Sequence, residues 1–229
     1  MQRTIVVGDV HGCIDELETL LGPKSAGWQR GDRLVLVGDV VAKGPDSASV
    51  VALARERGAL GVMGNHDRRV LHLRDIQRGK APADGHHPKP DQQLVLDTLT
   101  AADWNYLEAM PLFVRLGPEN KGDPETAVVH GGAVAGVPLE QQDPEHLLCL
   151  RSIREDGKPT KKLTGTPWAQ LWRGPERLVF GHDAVRGLQQ YEWATGLDTG
   201  CVYGGKLTAL VLPERRLVSV DAKRAYSSG

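Results

Sequence analysis

Val37-Gly38-Asp39-Val40-Val41-Ala42-Lys43-Gly44-Pro45 is the stretch that decides how this chain is read. The apolar run Leu34 to Val37 stops at a glycine, and a short apolar run stopped by glycine predicts a buried strand. Asp39 then stands just past the strand's carboxyl end, where open α/β sheets place their ligands. The same pattern lies on either side. Thr4-Ile5-Val6-Val7 runs into Gly8-Asp9-Val10-His11-Gly12, and Ala59-Leu60-Gly61-Val62-Met63 runs into Gly64-Asn65-His66-Asp67. Three such strands deliver Asp9, His11, Asp39, Asn65 and His66 to one sheet edge. One glycine-polar pair after a strand is an ordinary turn. Three in order, two of them carrying histidine, are poorly explained by turns alone. Asp39 comes from the middle segment and is the natural candidate to bridge two metal ions. Carboxylates, an amide and imidazoles without a thiolate suit Mn, Fe, Co, Zn or Ni rather than a structural zinc-thiolate site. Two such ions roughly 3.5–4 Å apart clamp an in-line phosphoryl displacement.

Residues 4–63 therefore read as β-α-β-α-β. Ile14, Leu17, Leu20 and Leu21 recur at helical spacing before Gly22-Pro23, and Val50, Val51, Leu53 and Ala54 before Gly58. Residues 66–78 predict a helix carrying Arg68, Arg69, Arg74 and Arg78, whose default reading is a solvated face. Residues 79–93, with His86-His87, predict a loop, and helical spacing resumes over 91–109. Leu112–Leu116 and Thr126–Val129 predict a hairpin whose second strand ends at His130-Gly131-Gly132. Residues 135–176 read as irregular, with a surface helix near 143–150. Arg177–Phe180 predicts a strand ending at Gly181-His182-Asp183, and short strands follow near 192–198, 201–211 and 215–220. Ala222 to Gly229 reads as a frayed tail. The fold class is α/β, two packed mixed sheets flanked by helices, in a single domain over 1–229.

Composition narrows the function classes. The 229 residues are 40% hydrophobic and 25% charged, with a formal net charge of -1. That balance gives no reason to expect binding to a nucleic-acid duplex. No apolar run approaches the roughly 20 residues needed to span a membrane, and Met1-Gln2-Arg3 ahead of the first strand does not read as a signal peptide. Cys13, Cys149 and Cys201 lack paired zinc spacing and read as reduced thiols of a cytoplasmic protein.

The trio GDVHG (8–12), GDVVAKGPDS (38–47) and GNHD (64–67), with His130-Gly131-Gly132 and Gly181-His182, resembles the calcineurin-like binuclear metallophosphoesterases. Within them it resembles the phosphoprotein phosphatase branch that includes the symmetrical bis(5'-nucleosyl)-tetraphosphatases. The resemblance covers nearly the whole chain and implies a four-layer fold. It implies that Asp9 and His11 hold one divalent ion, that Asn65, His130 and His182 hold the other, and that Asp39 bridges. Manganese is the first expectation for both ions. It also implies that His66 is the general acid for the leaving oxygen. The expected reaction is hydrolysis of diadenosine tetraphosphate to two ADP by a metal-bridging hydroxide. The alternative is a serine/threonine protein phosphatase, so the partner is a dinucleoside polyphosphate or a phosphoprotein.

Two departures bear on that choice. The protein phosphatases carry an Asp-Arg pair where this chain has Ala42-Lys43. Alanine cannot orient an imidazole, and lysine binds phosphate as a point charge rather than a fork. The VA(R/K)GP form and Gly196 to Gly205 resemble the tetraphosphatases instead. The chain is also shorter than a typical symmetrical enzyme, lacking a helical segment between the two late histidines. Asp198 is equally a turn residue or a partner for a ligand histidine. Among Arg151, Arg154, Arg173 and Arg186, which flank the last two motifs, Arg173 is expected to bind a distal phosphate.

Overall fold

The computed structural model describes residues 2–85 and 87–228. The first half builds β1 (Thr4–Val7), α1 (Ile14–Leu21), β2 (Arg33–Leu36), α2 (Ser47–Glu56), β3 (Leu60–Gly61), α3 (Asn65–Gln77), α4 (Pro90–Thr98) and α5 (Ala101–Glu108). The second builds β4 (Phe113–Pro118), β5 (Glu125–Val129), α6 (Pro144–Cys149), the two-residue strands β6 (Ser152–Ile153), β7 (Pro159–Thr160) and β8 (Thr166–Pro167), and α7 (Trp168–Leu171). It ends in β9 (Arg177–Phe180), β10 (Gln189–Gln190), β11 (Ala194–Gly196), β12 (Lys206–Leu212) and β13 (Arg216–Asp221).

Past a polar start (Thr4, Arg33, Glu125-Thr126, Arg177) the central strands are apolar at every position, and successive side chains point to opposite faces. Each strand must therefore be covered twice. Val6 and Val35 of one sheet meet Val128 and Val179 of the other in a shared inner core, with Leu210 and Leu212. The alternate residues Ile5, Val7, Leu34 and Leu36 face outward under α1, α2 and α5 with Val50, Val51 and Leu107. Ala127, Val129, Leu178 and Phe180 do the same under α6 and α7, against Leu147 and Trp168. Helix, sheet, sheet and helix follow as four layers.

Both sheets are mixed and five-stranded, in the orders β13-β12-β1-β2-β3 and β10-β11-β9-β5-β4. Strands β1, β2 and β3 run parallel, as do β5, β9 and β11. The carboxyl ends of β1, β2, β5 and β9 lead directly into Asp9, Asp39, His130 and His182.

Three expectations need correction. The helix expected over 91–109 is two helices. Thr100 caps the second: the Asp103 N–H donates to Thr100 Oγ1 at 3.3 Å, and Asp103 Oδ2 accepts from the Thr100 N–H at 2.9 Å. The irregular stretch contains a small sheet in the order β7-β6-β8, too short in each strand to leave a periodic signal. The tail is not frayed. Buried Glu16 accepts from the Lys223 N–H and the Tyr226 hydroxyl at 2.9 and 2.8 Å, and the Tyr226 N–H donates to Val202. His86 and Gly229 lie outside the described residues.

Candidate active site

The loops after β1, β2 and β9 turn abruptly, and the turns are made by the functional residues themselves. His11, Asp39, Ala42, Lys43 and His182 adopt φ values between 47° and 69°. Side chains rarely occupy this left-handed region outside functional sites. Glycines make the crowding possible. A Cβ on Gly64 would lie 2.1 Å from the Asp39 nitrogen, and one on Gly181 2.0 Å from Asp9 Oδ1. Asp67, wholly buried on the first turn of α3, staples the middle and third motifs together. Its Oδ1 accepts from the Val40 and Val41 N–H groups and its Oδ2 from Gly64. Oδ1 is thereby turned to the Asp39 loop and Oδ2 to the amino end of α3.

Asp9, His11, Asp39 and His130 are all buried, and Asn65, His66 and His182 partly so. Asp39 Oδ1 accepts from the His66 N–H at 2.8 Å. His11 Nε2 lies 3.4 Å from Asp39 Oδ2, and His130 Nε2 lies 3.5 Å from Oδ1. Asp9 accepts from the His182 N–H at 3.1 Å, so a residue of the first sheet receives a bond from the second. Two donor groups overlap at Asp39: His11, Asp39 and His66, and Asp39, His130 and His182, with ligand atoms within 4.8 Å of one another in each. Asp9 stands beside His182 rather than within either trio.

The arrangement fits divalent cations. His130 Nδ1 is 2.9 Å from the Val37 carbonyl and His11 Nδ1 is 3.2 Å from that of Val41. A carbonyl only accepts, so each Nδ1 carries the proton and each Nε2 presents a lone pair to the site. His130 Nε2 then faces Asn65 Oδ1 at 3.1 Å, as well as Asp39, and these are acceptors too. Acceptors gathered on one point need a cation or a proton between them. His182 Nε2 is buried with no hydrogen-bond partner, as a free metal-ligating nitrogen would be.

The electrostatics agree. Burial, with Asp198 and Asp39 nearby, raises Asp9 well above the usual carboxylate range. Burial pulls His11 down to about 3 and also lowers His66. His182 falls well below its usual value, through burial and then the His130 charge. Burial opposes ionisation of both Asp39 and His130, but their attraction prevails. Asp39 is held well below the carboxylate range and His130 rises to about 10.

A cleft of about 470 Å³ opens over these groups and is lined also by Lys43, Arg151, Val185, Asp198 and Tyr203. Its size is that of a small-molecule site. Lys43 Nζ reaches into it, donating to Tyr203 Oη at 2.7 Å and lying 3.2 Å from His11 Nε2. The Lys43 N–H donates to Asp91 on the first turn of α4, which anchors this loop. The His66 ring sits edge-on to His11 with centroids 5.0 Å apart.

Arg173 is not among the cleft's lining residues. It is exposed, and its guanidinium donates to the Gln170 and Trp172 carbonyls, closing a local turn. Arg151 lines the cleft instead, held by the His182 carbonyl at 3.0 Å. Tyr203 has no counterpart among the expected site residues. Its only sequence signal is its place in the glycine-rich stretch 196–205.

Comparison with known proteins identifies the family. The profile of the family described as calcineurin-like phosphoesterase matches residues 2–214. The chain is similar to bis(5'-nucleosyl)-tetraphosphatase PrpE [asymmetrical] of Oceanobacillus iheyensis, 29% identical, with 96% of this chain and 93% of the relative covered. It is equally similar to the symmetrical bis(5'-nucleosyl)-tetraphosphatase of Vibrio parahaemolyticus, 30% identical, with 96% and 98% covered. A crystal structure assigned as a diadenosine tetraphosphatase superposes with a TM-score of 0.82 at 36% identity, covering 96% of this chain and 94% of that one.

Proposed function

The chain belongs to the calcineurin-like phosphoesterase family, and from that premise we propose that this metallophosphoesterase cleaves dinucleoside tetraphosphates, cutting diadenosine tetraphosphate symmetrically into two ADP. Asp9 and His11 would hold one divalent ion, Asn65, His130 and His182 the other, and Asp39 both. Manganese is the proposed ion for each, with Fe, Co, Zn or Ni chemically compatible. When bound, the ions supply Lewis acidity and make water nucleophilic near neutral pH. Lys43 and Arg151 offset phosphate charge at the cleft, and His66 gives a proton to the departing oxygen. The reduced thiols of Cys13, Cys149 and Cys201 support a cytoplasmic setting.

The observation that carries the substrate reading is the Ala42-Lys43 pair, of which Lys43 shares the cleft with His66 while Ala42 is buried in the core. Lys43 Nζ binds Tyr203 and His11, and residue 42 offers no carboxylate to orient the acid. A departing phosphate has a second pKa of about 6. A departing serine or threonine alkoxide is far more basic, close to hydroxide, whose parent water has a pKa of about 15.7. A weakly oriented acid suffices for the first and poorly serves the second.

A second reading keeps the substrate and moves the cut. Relatives named asymmetrical match as well as the symmetrical one, and asymmetrical cleavage would yield ATP and AMP. Anion-exchange analysis of diadenosine tetraphosphate incubated with the Mn²⁺-loaded protein separates the two. ADP alone is the expected product, and ATP with AMP selects the second reading. Phosphate released from a phosphothreonine peptide, with the dinucleotide untouched, would instead make the protein a serine/threonine phosphatase.

A further inference from the structure

A second cavity, about 520 Å³, adjoins the cleft, and Asn65 and His66 belong to the walls of both. Its lining also includes Arg68, Arg69, His72 and Lys161. The first three follow Asn65 at steps of three, four and seven along α3, so they form one stripe running away from the site. Arg68 is paired with Glu145, and Arg69 lies 2.5 Å from Asp84. These pairs fix the two guanidinium forks while leaving further N–H donors on each. Arg68 and Glu145 are 44% and 62% exposed, so water screens their attraction and a multiply charged anion can compete for it. Three full cations against two carboxylates leave the cavity net positive. The hydrolytic step proposed above uses none of them.

We infer that this cavity binds the phosphates of the leaving group, a nucleoside diphosphate or longer polyphosphate. The inference rests on the reading of His66 as the acid. A group that protonates the departing oxygen must touch it, so the leaving group lies against His66. One of the two spaces that meet at His66 contains the clustered carboxylates and imidazoles. The other is the cationic cavity, and only an anionic leaving group has reason to enter it. Arginine forks match paired phosphate oxygens, and Lys161, just past β7, adds a point charge.

The test uses titration calorimetry on the Mn²⁺-loaded protein with two probes, ADP and inorganic phosphate. Phosphate can occupy the position of the transferred group, whereas ADP also reaches the cavity. In the double variant R69A/K161A the ratio of the ADP to the phosphate dissociation constant should rise about tenfold or more, the scale of one lost charge-assisted hydrogen bond. K161R, which keeps the charge, should hold the wild-type ratio, and K161E should raise it further. A ratio within twofold of wild type in R69A/K161A and K161E overturns the inference, as does wild-type ADP binding no tighter than phosphate. Neither measurement requires turnover. Failure of the wild type to cut a dinucleotide would therefore refute the substrate reading separately.

Discussion

At the residue scale, His66 carries the sharpest consequence. Its backbone N–H is bonded to Asp39 and its ring leans on His11, so its position depends on the metal loops rather than on a dedicated carboxylate. Loss of a general acid typically costs about 10²–10⁴ in rate, and less as the leaving group improves. His66→Asn is expected to reduce kcat on a phosphothreonine peptide by that full range. On diadenosine tetraphosphate the loss should be no more than about 100-fold, at the low end of the same range, because phosphate departs more readily. Bound metal, counted by elemental analysis, should stay at the wild-type level. Equal losses on both substrates would show that His66 does not discriminate by leaving group. Asp67 illustrates the opposite role: it is adjacent in sequence, but both oxygens are occupied by backbone N–H groups of the Asp39 loop and of Gly64.

At the scale of elements, the site is a set of strand-to-loop turns pressed against one another. The amino end of α3 is one of the tight places, since Gly64 packs directly on the Asp39 backbone and carboxylate. In Gly64→Ala the new Cβ meets backbone, which cannot rotate away. Overpacking of this kind costs about 1–3 kcal/mol, or a drop in Tm of roughly 3–10 °C for a chain of this size. Activity should fall by far more than stability does, because the displaced atoms are those of Asp39. Calorimetry of the melt alongside a p-nitrophenyl phosphate assay checks both, and an active, fully stable variant would refute the packing argument. The tail obeys similar logic on a smaller scale. Residues 223–226 stay attached because they supply the donors that buried Glu16 needs.

For the whole molecule, the two sheets share one inner core and are also joined through the site. Asp9 and Asp39 come from one sheet, His130 and His182 from the other, and among the described residues the His182 N–H to Asp9 bond and the His130 contacts with Val37 and Asp39 join them across the site. Metal binding should therefore add stability to the junction. At a metal concentration about 1,000 times Kd, binding contributes about 4 kcal/mol, which for 229 residues raises Tm by about 10 °C. Chelation of the Mn²⁺-loaded protein should lose that increment, and re-addition should restore it. An unchanged Tm in differential scanning calorimetry would mean that metal and fold are uncoupled. Much of this architecture was legible in the sequence. Residues 4–63 announced β-α-β-α-β because strand and helix periodicities are local, and glycine-carboxylate and glycine-histidine pairs mark strand ends whatever lies beyond them. Asp9, His11, Asp39, Asn65, His66, His130 and His182 were candidates on those grounds, and the fold does gather them. What local pattern could not carry was decided by contacts between distant residues. The break at Thr100 turns on a cap. The tail's attachment depends on Glu16, and Tyr203 enters the cleft by reaching Lys43, 160 positions away. Arg151 rather than Arg173 lines the cleft for the same reason. Sequence determines which chemical groups are offered and where the strands end, since those follow from neighbours a few residues apart. Only the packed structure decides which of several equivalent arginines faces the site, because that depends on which distant carbonyls and carboxylates satisfy each one.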